Sequence, residues 1–380
     1  MLKVLPKVII TAVIFSYYIF VSSFAYGTYD PASAANNKFG IHLLFPSELE
    51  EAARLVNSAN GEWGYITIPI RSDDHNLEKW QVFMDKAKIL KLIPILRLAT
   101  YPEGDSWAKP TIFDPLDWAN FLSSLEWPTK NRYVIIYNEP NRAEEWGREI
   151  NPSDYSAQLK QTSLALKRLN DDFFVLPAGF DASAPNNHVL MDEYSFLTLM
   201  HQADNEIFKY IDGWTSHAYP NPNFRSPPAY LGRNGITSYQ WELAFLQKEF
   251  GVSGLKVFIT ETGWDGSYLN PNLVAAYFKE AFATVWNQDY IVAVTPFLLG
   301  AGEGAFKKFS WTSQDSYQPL PVYETVQKMN KIKGEPKINT LFEQNAKLKE
   351  EKSIWSAQKT GFWHQTTISW IKKTINWLFH

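Results

Sequence analysis

Between residue 38 and about residue 329 the chain alternates short apolar runs with longer stretches in which apolar residues recur at helical spacing. The short runs cover residues 39–44, 65–70, 92–98, 133–137, 173–177, 211–216, 256–260 and 291–297, and their starts lie 26 to 45 residues apart. Each interval holds a loop, a helix and a second loop. The predicted helices include 46–57, 77–90, 115–125, 154–169, 239–250 and 272–287. Eight βα units over a few hundred residues form the pattern of an α/β chain folded as a single (β/α)8 TIM barrel, usually about 250 residues. The alternative is a doubly wound open sheet. No G-x-G-x-x-G turn follows the first run and no phosphate-binding loop is present, so nothing specific favours it.

The ends of the chain follow a different pattern. Lys3 and Lys7 precede an apolar stretch over residues 8–25, and a polar segment over 28–38 follows it. Ser23-Phe24-Ala25 offers the small-x-small pattern read by a signal peptidase, while about 18 apolar residues nearly span a bilayer. A cleaved signal peptide and a retained anchor both fit. Either one places the remaining chain outside the cytoplasm, secreted or held at the cell surface. The expected organisation is an export segment over 1–25, a linker over 26–37, the barrel over 38–330, and a charged linker with an aromatic tail over 331–380. In the tail, Trp363, Trp370 and Trp377 recur among lysines and polar residues as in an amphipathic helix. Such a helix suits either a membrane interface or packing back on the main domain.

Composition narrows the chemistry. Lys plus Arg number 36 against 40 Asp plus Glu, a net charge of −4, which gives no general electrostatic reason to bind nucleic acid. There is no cysteine, so thiol catalysis, disulfides and thiolate metal sites are excluded. The seven histidines form no His-x-His or His-Glu-x-x-His pair, so neither a metal nor another cofactor is expected. With 15 Trp, 19 Tyr and 25 Phe the chain is unusually aromatic. The chain is expected to act as a monomer.

Active sites of such barrels lie at the C-terminal strand ends. Those positions carry His42, Arg71 with Asp73 and Asp74, Arg97, Asn138-Glu139, Asp181, His217 with Tyr219, and Glu261. Glu139 ends the fourth strand and Glu261 the seventh, on opposite sides of an eight-membered ring. Burying a carboxylate at a strand end is costly unless it is paired or used. Two facing carboxyls are the equipment of a glycosidase, one to protonate the leaving oxygen and one to attack the anomeric carbon or activate water. Both could instead be structural partners in rim salt bridges. The inward or outward direction of His42 and Arg97 is open.

Tyr137-Asn138-Glu139-Pro140-Asn141 and Ile259-Thr260-Glu261-Thr262-Gly263-Trp264 resemble the acid/base and nucleophile motifs of the clan A glycoside hydrolases, the 4/7 retaining barrels, and Ser216-His217-Ala218-Tyr219-Pro220 resembles their His/Tyr element. Family 39 is the nearest comparison, with families 5 and 53 as neighbours. The resemblance implies that Glu139 is the acid/base and Glu261 the nucleophile, that Asn138 bonds the sugar 2-hydroxyl, that Tyr219 hydrogen-bonds the nucleophile, and that His217 contacts the donor sugar. Arg71 would hold Glu261 ionised if it turns inward; the other reading pairs it with Asp73 and Asp74 at the rim. Trp264 and Trp311, on mouth loops, either stack on sugar faces or fill the core. Members of the clan often place Trp at the end of the eighth strand. Here the strand reads Val294-Thr295-Pro296-Phe297-Leu298-Leu299, so the floor of the donor site falls to Phe297 or to Trp311 returning from its loop. The expected activity is that of an exported retaining β-glycosidase acting on a poly- or oligosaccharide. The alternative is a surface-tethered, non-catalytic carbohydrate-binding barrel, against which the intact Glu139, Glu261 and Asn138 argue.

Overall fold

The computed structural model describes residues 27–313 and 318–339. The proposed export segment, 1–25, and the aromatic tail, 355–380, lie outside the described residues. Eight principal strands run in chain order: β1 Gly40–His42, β2 Gly64–Arg71, β3 Leu92–Ala99, β4 Arg132–Ile136, β5 Phe173–Pro177, β6 Gly213–His217, β7 Lys256–Glu261 and β8 Ile291–Val294. The first five pair in sequence order in one sheet and the last three in a second, and every one of these neighbours is parallel. The sheets touch at both edges. Phe39 and Val294 form a parallel bridge beside β1 and β8, and Asp181 and His217 form another beyond β5. Main-chain bonds reinforce these edges, from Val294 N to Lys38 O at 2.9 Å and from Asp212 N to Val175 O at 2.8 Å.

Helices α1 Leu49–Val56, α2 Leu77–Ile89, α3 Asp114–Ser123, α4 Pro152–Leu169, α5 Glu193–Ala203, α6 Ser238–Phe250, α7 Pro271–Ala283 and α8 Pro321–Gln327 fall between and after the strands. All six predicted helices are present. The other two, α5 and α8, carry weaker signals. α5 is capped by the Asp192 side chain, which accepts from Ser195 N, and buries Phe196, Leu197 and Met200. α8 has only seven residues, too few for periodicity to stand out.

Alternation along the strands divides the core in two. Tyr65, Ile93, Ile95, Tyr133, Ile135, Phe174, Leu176, Phe258 and Val292 form an inner cluster bounded by both sheets. The ring of Tyr133 on β4 lies 5.4 Å from that of Phe258 on β7. Residues of opposite parity, such as Ile66, Ile68, Ile70, Leu96 and Val134, face the helices in a larger outer cluster. The aromatic surplus is largely spent there, since Trp80, Trp118, Trp127, Trp146, Trp214, Trp264, Trp286 and Trp311 are all essentially buried.

The chain enters and leaves across the N-terminal ends of the strands. Gly27 and Tyr29 donate from their backbones to Asp172 and Asn131, just before β5 and β4. On the return, Gly334 N bonds Glu62 O, Glu335 N bonds Ala35 O, and Lys130 N bonds Lys337 O. Residues 27–37 and 331–339 are therefore packed against the same pole of the fold. Among the described residues no helix is long and apolar enough to cross a membrane.

Gly40 sits where β1 meets β8. A β-carbon there would lie 2.5 Å from the Thr295 methyl, 2.8 Å from Tyr65 O and 3.0 Å from Val294 O. Two of these neighbours are backbone and cannot rotate away. Gly40→Ala is expected to lower unfolding stability by about 1–3 kcal/mol, the usual cost of overpacking, in urea titrations followed by tryptophan fluorescence.

Candidate active site

The C-terminal strand ends converge on a cavity of about 810 Å³. Glu139 enters it from the turn after β4, where Tyr137 and Glu139 have positive φ of 66° and 29°. Non-glycine residues in this region cost of order 1–3 kcal/mol each and must be held by their surroundings. Here the hold is visible: Glu139 N donates to Gly179 O at 3.0 Å, and Arg142 N donates to Glu139 O at 2.9 Å. Glu261 is the last residue of β7 and enters from across the cavity. One oxygen of each glutamate and one ring nitrogen of His217 lie within 4.8 Å of one another.

Each carboxyl has its own set of partners. Arg97 Nη1 lies 2.6 Å from Glu261 Oε1, with both side chains nearly buried. The Tyr219 hydroxyl donates to Glu261 Oε2 at 3.0 Å. Burial alone would raise Glu261, but His217 and Arg97 outweigh it and hold this carboxyl below the ordinary range. At Glu139 burial prevails and pushes the carboxyl up; Asp181 and Glu261 add to the effect, and His217 opposes it. His217 Nδ1 stands 2.8 Å from Glu139 Oε1 and 3.8 Å from Glu261 Oε2. Burial would lower His217, yet the two carboxylates hold it above its usual value. Burial also keeps the Tyr219 phenol protonated, and the two glutamates reinforce this. The two carboxyls are thus shifted in opposite directions, Glu139 towards the protonated form and Glu261 towards the ionised one.

His42 lies beneath Glu261, fully buried, with Nδ1 3.4 Å from Thr260 O and its ring edge-on to Phe297 at 5.0 Å. Burial lowers its pKa to about 3, so it stays a neutral imidazole. Glu139, His217 and Glu261 could each offer one ligand atom to a cation. Such an ion would sit beside the Arg97 guanidinium, which already supplies the positive charge against Glu261.

The cavity gathers Glu139, Glu261, Asn138, His217, Tyr219, Arg71 and Arg97. Three expectations need correction. Arg71 is not the partner of Glu261: it is exposed at the rim and bidentate to Asp73, at 2.8 and 2.6 Å. The register explains this, because Pro69 pairs with Arg97 while Arg71 pairs with Ala99. Arg71 thus stands two residues, about 6–7 Å, farther along the strands than the level of the carboxylates. Trp264 and Trp311 do not reach the cavity. Trp264 Nε1 donates to Ser226 O at 2.7 Å, and both indoles pack on Phe278, at 4.7 and 4.8 Å between centroids. They line a separate recess of about 460 Å³ on the far side of the loop after β8. The floor position therefore belongs to Phe297.

Sequence reasoning missed the residues that do offer aromatic surface to the cavity: Phe45, Trp107 and Phe306, from the loops after β1, β3 and β8. Phe45 and Phe306 are 60% and 54% exposed, so their rings are open to a ligand in the cavity. Arg142 was also missed; it bonds Asp181 Oδ2 at 2.8 Å and stands 3.5 Å from Glu139. No sequence motif marks these loop residues.

No family model and no curated protein matches the chain. Solved structures do. A family 39 glycoside hydrolase from the gut symbiont Bacteroides cellulosilyticus WH2 superposes with a TM-score of 0.56 at 16% identity, over 79% of this chain and 64% of its own. This chain thus spans less than two thirds of that protein. A monomeric beta-xylosidase from Caulobacter crescentus CB15 gives 0.56 at 13% identity, over 77% and 69% of the two chains. An endo-beta-1,4-glucanase from Xanthomonas axonopodis pv. citri gives 0.51 at 14%, over 77% and 98%. The chain shares the fold of these hydrolases. The first of these three is a family 39 glycoside hydrolase, the family to which the glutamate motifs were compared.

Gly179 ties the fold to the site. A β-carbon on it would lie 2.1 Å from the His217 ring, and its carbonyl is the acceptor for Glu139 N. Gly179→Ala should destabilise the protein by about 1–3 kcal/mol. In Gly179→Ala/His217→Ala most of that loss should return, since the ring that clashes is gone. Urea denaturation of the four species closes the cycle.

Proposed function

We propose that this protein is an exported retaining β-glycosidase that hydrolyses O-glycosidic bonds in a poly- or oligosaccharide, built on a closed (β/α)8 barrel. The observation that carries the reading is the pair of unlike carboxyls, Glu139 pushed up and Glu261 held down, which face one cavity with an oxygen of each within 4.8 Å of the other, too close to leave room for a water between them. Retaining glycosidases hold their carboxyls about 5–5.5 Å apart, and inverting ones about 6.5–9.5 Å to admit a water. Barrel closure is supported by the bridges at both sheet edges and by the meeting of Tyr133 and Phe258 at the centre.

In this mechanism Glu261 attacks the anomeric carbon while the bond to the leaving oxygen breaks and Glu139 gives that oxygen its proton. Glu139, now a carboxylate, takes a proton from water as the water attacks the anomeric carbon. The bond to Glu261 breaks and both carboxyls return to their starting states. Arg97 and Tyr219 keep Glu261 anionic and oriented until it reacts. Asn138 would meet the sugar 2-hydroxyl, and the exposed Phe45 and Phe306 with the half-buried Trp107 would stack on further sugar units, a layout suited to a chain rather than a single ring. The cycle uses only protein carboxyls and water, with the protein as a monomer.

Location belongs to the same proposal. The segment leading out of residues 1–26 and the one leading into residues 340–380 both cross the pole opposite the cavity. Anchorage through either end would leave the mouth facing away from the membrane.

Glu261→Ala should abolish hydrolysis of aryl β-glycosides, and added azide should restore turnover with a glycosyl azide of inverted anomeric configuration. An unaffected rate in this variant would sink the nucleophile assignment, while sugar binding without turnover in the wild type would favour the non-catalytic alternative. Glu139→Ala should lose most on poor leaving groups and least on activated ones.

The wild-type pH profile of kcat/KM should be bell-shaped, since that ratio reports the free enzyme's acid and base. Its acid limb follows Glu261, below the usual carboxylate range, and its alkaline limb follows Glu139, above it. Arg97→Gln removes the cation that favours ionised Glu261, so the acid limb should move to higher pH.

A further inference from the structure

Arg142 takes no part in the double displacement, yet a rigid frame holds it beside the acid/base. Residues 141–143, in the loop after β4, pair with 189–191: Met191 N donates to Asn141 O and Ala143 N to Val189 O, both at 2.9 Å, and Arg142 and Leu190 form an antiparallel bridge. The fully buried Asn141 side chain ties this loop to the next one. Its Nδ2 donates to Asp181 O at 3.0 Å and its Oδ1 accepts from Asp181 N at 3.1 Å. Asp181 Oδ1 is occupied by Ser183 N and Oγ at 3.0 and 2.9 Å, which leaves Oδ2 to accept from Arg142 Nη1 at 2.8 Å. From the other side Glu144 accepts from Arg142 Nε at 3.0 Å.

So placed, Arg142 Nε stands 3.5 Å from Glu139 Oε2, while His217 Nδ1 stands 2.8 Å from the other oxygen, Oε1. The two oxygens of the acid have different neighbours. Burial would lower His217, but Glu261 and Glu139 hold it towards its protonated form, so Nδ1 carries hydrogen and Oε1 receives it. Burial also opposes the charge on Arg142, and Glu139, Glu144 and Asp181 together outweigh it and keep the guanidinium cationic. Three carboxyls repel a charge on Glu139: Asp181 from the loop after β5, Glu261 from β7 and Glu145 from its own loop. Arg97 of β3 is engaged with Glu261, and the Tyr219 phenol beside them stays neutral. Arg142 is therefore the cation that meets Oε2. Asp181 and Glu144 share its charge, so its pull is partial and burial still keeps Glu139 above the ordinary range.

We infer that Arg142 is a positioning residue whose guanidinium, clamped by Asp181 and Glu144, sets Oε2 as the oxygen through which Glu139 exchanges its proton and favours the carboxylate left behind. This rests on the glycosidase reading and adds to it the group that sets the strength of its acid. A buried acid with no cation at hand would cling to its proton, and a fully paired one would have lost it before the substrate arrived. A cation whose charge is shared with two other carboxylates lies between these extremes, and a general acid works best when its pKa lies near the operating pH.

The test follows kcat/KM against pH for the full chain, Arg142→Gln and Arg142→Lys on an aryl β-glycoside with a poor leaving group, where the acid is needed. In Arg142→Gln the alkaline limb should move to higher pH by about one pH unit, the low end of what an opposite charge at this range does to a carboxyl. The acid limb, set by Glu261 beside Arg97, should stay in place. Arg142→Lys keeps the charge and should recover most of the shift. An alkaline limb that does not move, two limbs that move together, or an Arg142→Lys profile shifted as far as that of Arg142→Gln overturns the inference and leaves the roles of Glu139 and Glu261 intact. If Arg142→Gln does not fold, Glu144→Gln decides. With one competitor for the guanidinium gone, the alkaline limb must move to lower pH, and a limb that stays or rises ends the proposal. A wild type without turnover counts against the glycosidase reading instead. In that event the Glu139 carboxyl carbon is titrated by carbon NMR, its resonance identified as the one missing from Glu139→Gln. The midpoint must be higher in Arg142→Gln than in the wild type; an equal or lower one ends the proposal.

Discussion

The cavity depends on the ion pair between Arg97 and Glu261. Two nearly buried carboxyls, Glu139 and Glu261, meet at the wall of one cavity, and burial penalises the charge on each unless a cation stands close. Arg97 gives that cation to one of them only. Because the guanidinium lies at 2.6 Å from Glu261, which His217 also favours, while Glu139 is left to His217 and the more distant Arg142, burial and repulsion prevail at Glu139 and not at Glu261. The opposite shifts of the two carboxyls are a property of the constellation. The two residues are chemically identical.

Such an arrangement works only if its members cannot relax apart. The strained turn at Tyr137 and Glu139 is tied to the neighbouring strand end through Gly179 O, and the same glycine leaves the space that His217 fills. Buried pairs of this kind lose several kcal/mol when one partner is removed, so the surrounding strands must pin both. The aromatic centre of Tyr65, Tyr133, Phe174 and Phe258 does this from below, supporting the strand ends that carry the carboxyls. Polar work is thereby confined to one pole. The opposite pole is sealed by the segments before β1 and after α8, where the Lys331 ammonium is buried among Ser58 Oγ and the carbonyls of Val326 and Met329.

The walls of the cavity differ in character. Arg71 with Asp73, Lys79 with Asp74, and Arg142 with Asp181 and Glu144 make one side a fringe of paired charges. Phe306, Phe309, Phe224 and Phe297 make the side formed by the late loops apolar. Sugars have hydroxyl edges and apolar CH faces, and a cleft with one wall of each kind can engage both.

The sequence by itself determined the eight strands, six of the eight helices and the positions of both glutamates at strand ends. These follow from periodicity and local motifs, and both are properties of neighbouring residues. It could not rank Arg71 against Arg97. Both have inward parity, and only the pairing of Pro69 with Arg97 across β2 and β3 sets their heights relative to Glu261. Nor could it tell a sugar-facing tryptophan from a core one. Trp264 and Trp311 sit on loops near the mouth, but helix α7 brings Phe278 against both and closes them off. Phe45, Trp107 and Phe306 line the cavity because three loops far apart in sequence meet at one rim. The charges and rings that face a side chain are settled only when the strands come together.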